Sequence, residues 1–302
     1  EDQNTQQQLD RLAAQRYIYS QSKKLLTLQM LLTIAIPITL SISVTIVQNL
    51  KIWAAFYGIV ISIIDVAFIE HYQKSLKTRA TKIQELFDCD VLKIKWHDLK
   101  AGNRPDNEII SEAAENFKKK CPEYKGLKNW YPVSITPLPL HLARLVCQRT
   151  NCWWNSKLRR RYKAVLLTGI ILIILVFVAI SIHKKMTMMD FILSLFAPFS
   201  PTILWALREY YKQSEAADAL DKLKSHIEDI WTKIINKELT EESIESISRD
   251  IQNEIFDRRR SDPVVFDWLY KLLRDNQEVQ MNKGAEELVR EALISLNTGG
   301  AS

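Results

Sequence analysis

A chain of 302 residues with a formal net charge of +6 spends 47% of its residues on hydrophobic types and only 7 on glycine. That length would allow two soluble domains, but the apolar residues are gathered into long runs rather than set at amphipathic spacing. This excludes an ordinary soluble architecture and points to a helical membrane protein. The four cysteines lack any CxxC pair, which argues against a zinc cluster, and the polar first two dozen residues do not resemble a secretory leader.

Residues 1–24 are expected to form a cytosolic N-terminal helix. Residues 25–69 hold a first transmembrane hairpin. Its first arm, 25–47, carries no charge and exceeds the ~20 residues that cross a hydrocarbon core. Its second arm, 52–69, returns after four residues and contains one charged side chain, Asp65. Residues 70–163 form a cytosolic segment, because about 20 Lys and Arg against about 10 Asp and Glu hold it on the cytoplasmic side. Its start continues the second span as a helix whose Leu76, Ile83, Leu86 and Phe87 share a face. Its piece 130–144, with three prolines, predicts an irregular linker.

Residues 164–207 hold a second hairpin, with arms 164–182 and 191–207, the latter interrupted by Pro198 and Pro201. Residues 208–302 are a cytosolic helical C-terminal region. There Ala216, Leu220, Leu223, Ile227, Ile230 and Ile234 recur at heptad spacing, and the Leu76 face is the surface expected to meet them. Ile244, Ile247, Ile251 and Ile255 extend a further helix to Pro263. The expected fold class is an all-α membrane protein. It has four transmembrane helices and a helical cytosolic domain built from the segment between spans two and three and the C-terminal third.

Within the spans, Ser194, Pro198, Pro201 and Trp205 fall on one helix face, which either lines water or packs against a neighbour. Asp65 is either a functional ionisable residue or a group that reaches the nearby interface. Both remain pore candidates. The run "WWNSKLRRRY" before the third span suits the interfacial belt, with Trp153 and Trp154 as aromatic anchors and Arg159, Arg160 and Arg161 as topology-setting charges. If those arginines only set orientation, lysine should replace all three. The five histidines are scattered and no GxGxxG, P-loop or GxSxG occurs, so neither catalysis nor a metal site is expected.

Two stretches, "NWYPVSITPLPLHLARLVCQRTNCWWNSKLRRRY" and "IQNEIFDRRRSDPVVFDWLYKLLRDNQEVQM", together with the four-span pattern, resemble the SMODS-associating four-transmembrane effector family. Its first motif falls on Cys147, Arg149, Asn151, Trp154 and residues 158–162. Its second falls on Ile255, Phe256, Asp257, Arg258, Pro263, Asp267, Trp268, Tyr270, Arg274 and Met281, while Asn155 stands where an acid is expected. The resemblance implies a pore-forming effector in bacterial conflict operons driven by nucleotide second messengers. Such a protein would permeabilise or depolarise the inner membrane in antiphage, abortive-infection defence. It implies a bilayer and further copies of the chain as partners, a cyclic nucleotide as ligand, no cofactor and no nucleic-acid polymer. The four spans, their short loops and the lysine and arginine excess predict a multi-pass protein with both termini cytoplasmic.

A nucleotide needs guanidinium groups for phosphate and a flat ring for the base. The candidates are Arg149, Trp153, Trp154, Arg159, Arg160, Arg258, Arg259, Trp268 and Arg274. The same arginines would equally serve internal ion pairs with Asp257, Asp262 and Asp267. A constitutive ion channel or transporter, and a non-conducting scaffold or receptor, are the rival functions.

Overall fold

The computed structural model describes residues 2–124, 126–192 and 196–299, and 84% of it is helical, with no strand among the described residues. Helices α1 (Gln6–Met30) and α2 (Ile36–Ile46) are joined by a π turn, Leu31–Ala35. Helices α3 (Lys51–Ile64) and α4 (Glu70–Val91) are joined by a second, Asp65–Ile69. Each pair is therefore one rod with a single widened turn. The two rods meet at these turns. Tyr57 Oη donates to the Leu32 carbonyl (2.8 Å) and Gln29 Nε2 donates to Asp65 Oδ1 (2.7 Å), so Asp65 has a partner inside the hairpin.

After α5 (Asp98–Ala101) and α6 (Asn107–Lys118), Pro139 caps α7 (Leu140–His183). With 44 residues α7 reaches about 66 Å, roughly twice the hydrocarbon thickness, so one helix carries both a core-packing half and an apolar half. Its only glycine is Gly169 and it contains no proline, hence nothing stops it between the two halves. A reversed turn leads through α8 (Met188–Phe191), closed by a capping box between Thr187 and Asp190, to α9 (Ala197–Ile235). The α7–α9 pair is the most extensive in the molecule, and α2 packs on α9. Thr240 caps α10 (Glu241–Ser261), and α11 (Asp267–Gly299) follows a short loop through Pro263.

Among the described residues, two helices, Gln6–Leu40 and Leu140–His183, are long and apolar enough to cross a membrane, and Ile52–Ile61 is a shorter apolar helix. Trp53, Phe56, Ile59 and Ile63 on α3 and Leu172, Leu175, Val176 and Ile182 on α7 stand exposed. A surface this apolar over two helices would drive association in water and is at rest against lipid.

Outside their apolar halves, the helices form two large apolar cores and one smaller cluster. One large core gathers Leu9, Leu12 and Ile18 of α1, Leu76, Ile83, Leu86 and Phe87 of α4, and Ile110 and Ala114 of α6. The other gathers Leu142, Leu145 and Val146 of α7, Leu220, Ile227 and Ile230 of α9, Ile244, Ile251 and Ile255 of α10, and Ala285 and Val289 of α11. Two expectations are corrected here. The heptad face of α9 meets α7 and α10 rather than the Leu76 face of α4, which is covered by α1. The proline-rich piece holds one 3-10 turn, Val133–Ile135, and ends at Pro139, the extended residue that precedes α7, so residues 140–144 are the first turn of that helix.

Candidate functional site

The predicted arginines separate into distinct environments, and none of the described residues forms a single pocket that holds them all. Deepest is a polar layer between the two cores. Asp88 is fully buried and accepts from Tyr131 Oη (2.6 Å), Gln252 Nε2 (3.0 Å) and the Arg259 guanidinium. Beside it Glu85 accepts from Gln252 Nε2 (2.8 Å) and Arg249 (2.7 Å). Burial opposes the Arg259 charge, yet the Asp88 carboxylate outweighs it and holds the guanidinium above its usual range. Burial, with the Asp88 charge, pushes the Glu85 carboxyl up.

Nearer the apolar halves, a second cluster is buried among four elements. Arg159 on α7 donates to Gln213 Oε1 (2.8 Å) and to the Pro263 carbonyl (2.8 Å), and lies 3.5 Å from Asp262. Gln213 donates its amide to Glu209 (2.8 Å), one turn earlier on α9, and to the Val264 carbonyl (3.3 Å), the latter contact tying α9 to the α10–α11 loop. Lys77 on α4 donates to the carbonyls of Ser261 (3.2 Å) and Asp262 (3.0 Å). The α10–α11 loop is thereby gripped by the helices that lead into the apolar halves. Desolvation raises the carboxyl groups of Glu209 and Asp262 and lowers Arg159.

Burial, then the neighbouring Arg159 charge, pushes Lys77 down from 10.5 to about 8. A folded pKa below the unfolded one means that the unfolded chain binds more protons between about pH 8 and 10.5, so this group adds stability as pH rises through that window. Cys89 and Cys152, pushed up to about 12 from 9.0 by burial, act with the opposite sign above pH 9. The difference between the parent and Lys77→Met isolates the lysine. Thermal melts of the detergent-solubilised pair should show the parent gaining about 1–2 kcal/mol relative to the variant from pH 7 to 10. Parallel curves would contradict the assignment.

The third environment brings together what a flat anionic ligand requires. Trp154 of α7 and Tyr270 of α11 lie with ring centroids 6.1 Å apart, and the Arg16 guanidinium of α1 stands 5.0 Å from the Tyr270 centroid. Arg16 (3.5 Å) and Arg274 (3.3 Å) both donate to the carbonyl of Gly126. Arg274 has the half-exposed Glu278 at 3.3 Å, whereas no carboxylate lies within ion-pair distance of Arg16 among the described residues. All four side chains are partly exposed. Gly126 has φ +76°, a conformation that favours glycine, and a Cβ there would displace the Arg274 guanidinium from its present position.

The other candidates lie elsewhere. Arg149 donates both Nε (2.9 Å) and Nη2 (2.7 Å) to Glu228 Oε1, Arg160 pairs with Asp221 and Asp218, and Trp153 lies under the Lys157 ammonium. Arg258 acts on Asp262 through space, and Trp268 is exposed on the outer face of α11. Of the three aspartates offered as arginine partners, Asp262 takes Arg159, Asp257 takes Lys100 and Arg260, and Asp267 takes Lys23. Among the pore candidates, Ser194 and the side chains of Pro198 and Pro201 lie outside the described residues. Pro198 is the second residue of α9, a first-turn position that tolerates proline, and Trp205 is half-buried.

Sequence reasoning missed Arg16, Gly126, Lys77, Glu209 and Gln213. For Gly126 a signal existed, since glycine is scarce here and this one interrupts a lysine-rich loop. For Arg16 there was none, because it sits in a helix with no apolar periodicity to orient it.

The SMODS-associating 4TM effector domain matches residues 1–288. A protein of Bacillus cereus (strain VD146) described as "Probable CBASS effector molecule" is 27% identical over 291 residues, covering 93% of this chain and 95% of the relative. No solved structure matches. With two membrane-length apolar helices and a family match over nearly its whole length, the chain belongs to the SMODS-associating 4TM effector family.

Proposed function

We propose that this protein is a non-catalytic effector of antiphage defence. It crosses the bacterial inner membrane four times, at 25–47, 52–69, 164–182 and 191–207, and permeabilises or depolarises that membrane after binding a cyclic nucleotide. Both termini are cytoplasmic, and several copies assemble, since four helices enclose no useful channel.

One observation carries the ligand reading: Arg16, Arg274, Tyr270 and Trp154 converge from α1, α7 and α11, and α1 and α7 run on without a break into the apolar halves. Arginine forks suit phosphate, and an aromatic face suits a base. A ligand that displaces the two guanidinium groups from the Gly126 carbonyl would act on the α1 rod through Arg16 and, by contact with the Trp154 ring, on α7. The description of the Bacillus relative as a CBASS effector supports the defence reading.

The purified chain in dye-loaded liposomes tests this. Cyclic di- and trinucleotides should bind and release dye, and Arg16→Ala or Arg274→Ala should weaken binding at least ~10-fold, as loss of a charge-assisted contact does. A parent that binds no cyclic nucleotide removes the messenger, and one that binds without leakage removes permeabilisation. Reporter fusions after residues 49 and 296 should report opposite sides of the membrane; agreement between them would remove the four-span topology.

A further inference from the structure

The corner that opens α11 is built around Leu158 and Tyr162 of α7, with Val265 and Leu269 buried on them and Phe266 set edge-on to Tyr162 at 5.9 Å. Leu166, already inside the apolar half of α7, packs on the same cluster together with Leu273. From the other side Lys23, two residues before the first apolar run, bridges to Asp267 at 2.6 Å. The first turns of α11 therefore sit at the level where two helices enter their apolar halves. At that level Trp268 and Leu272 face outwards, 53% and 71% exposed, one turn apart on the same helix face. Lys271 on that helix, Lys24 beside the bridging Lys23 and Arg161 beside Tyr162 are exposed as well.

We propose that this corner is a membrane-surface docking element. Trp268 and Leu272 immerse in the interfacial layer of the cytoplasmic leaflet, while Lys271, Lys24 and Arg161 face the phosphates of anionic phospholipids. The inference rests on reading α7 as a span, and follows from continuity with that span: the exposed apolar surface of α7 runs on through Leu166 into an amphipathic helix start carrying a tryptophan. An indole spans the polar–apolar boundary with its ring in the interface, and clustered lysine and arginine favour an anionic leaflet. A second copy is a weaker fit, because the apolar part of the face ends one turn after Trp268: Asp275 follows on the same face, and beyond Val279 it carries Asn282, Lys283 and Glu286. Docking would hold the α10–α11 loop, which Lys77 and Arg159 grip, against the bilayer.

The test places an environment-sensitive fluorophore on Leu272→Cys in the full chain, with Leu175→Cys in α7 as the control. Both are reconstituted in nanodiscs of phosphatidylglycerol mixed with phosphatidylcholine, or of phosphatidylcholine alone. The label at 272 should shift to the blue and be quenched by shallow brominated lipid in the anionic discs. It should be quenched less in the neutral discs and after Lys24→Gln with Lys271→Gln. Quenching at 175 with a water-exposed label at 272 overturns the docking while leaving the span intact. A blue-shifted label that no brominated lipid quenches assigns the face to protein, and equal quenching in both discs removes the anionic headgroup. No quenching at 175 overturns the span and the docking together.

Discussion

Arg259→Met should be the most damaging single substitution outside the apolar halves, at about 3–5 kcal/mol. The pair it breaks is dry: the side chain of Asp88 has no solvent exposure and that of Arg259 has 9%. Removing the cation leaves the Asp88 carboxyl group without its counter-ion beside Glu85, with only Tyr131 and Gln252 to donate to it. The loss therefore measures an uncompensated buried charge, not the net worth of the pair. Asp88→Asn in the same background should recover a large part of it, because an amide carries no charge to strand. Arg260→Met is the contrast. That residue bridges Asp257 at 3.0 Å in the open, where an ion pair contributes up to about 1 kcal/mol. Melting temperature in detergent, with protease resistance as a second probe, reads all three. Equal losses from Arg259→Met and Arg260→Met would show that the polar layer is not dry.

Arg159→Lys is expected to cost about 2–3 kcal/mol while Arg160→Lys and Arg161→Lys cost almost nothing, so the three neighbours do not behave as one basic run. Arg159 spreads its fork over the Gln213 amide oxygen, the Pro263 carbonyl and Asp262. A lysine ammonium reaches one of these and leaves buried acceptors behind. Arg160 reaches Asp218 and Asp221 at the surface, where any cation serves. The same lysine variant should loosen the α10–α11 loop, read as faster hydrogen exchange at residues 261–266 than in the parent. Unchanged exchange and stability would place Arg159 among the topology-setting charges after all.

The difference between Arg159 and Arg160 also shows where the sequence stopped being informative. The two are consecutive and chemically identical, and on a helix they point about 100° apart. Nothing local says that the first direction meets a loop arriving from more than a hundred residues away. Arg259 is the same case: as part of "DRRR" it is indistinguishable from Arg258 and Arg260, yet only it reaches Asp88 of α4. The α9 heptads were legible as a buried face, but not its partner, because periodicity reports which side of a helix is apolar and carries no address for what covers it.

What the sequence by itself determined is the part governed by solvent: helices throughout, apolar runs of bilayer length, polar ends, an excess of positive charge beside the runs. Each follows from backbone hydrogen bonding and transfer free energy, which depend on residue type and near neighbours alone. Tertiary structure decided which arginines are locked in internal pairs and which two meet at Gly126 beside Tyr270 and Trp154. It also decided that the polar N-terminal helix is a core element carrying Arg16. These depend on the packing of α1, α4, α7, α10 and α11 against one another, and long-range packing selects among side chains that composition and spacing leave equivalent.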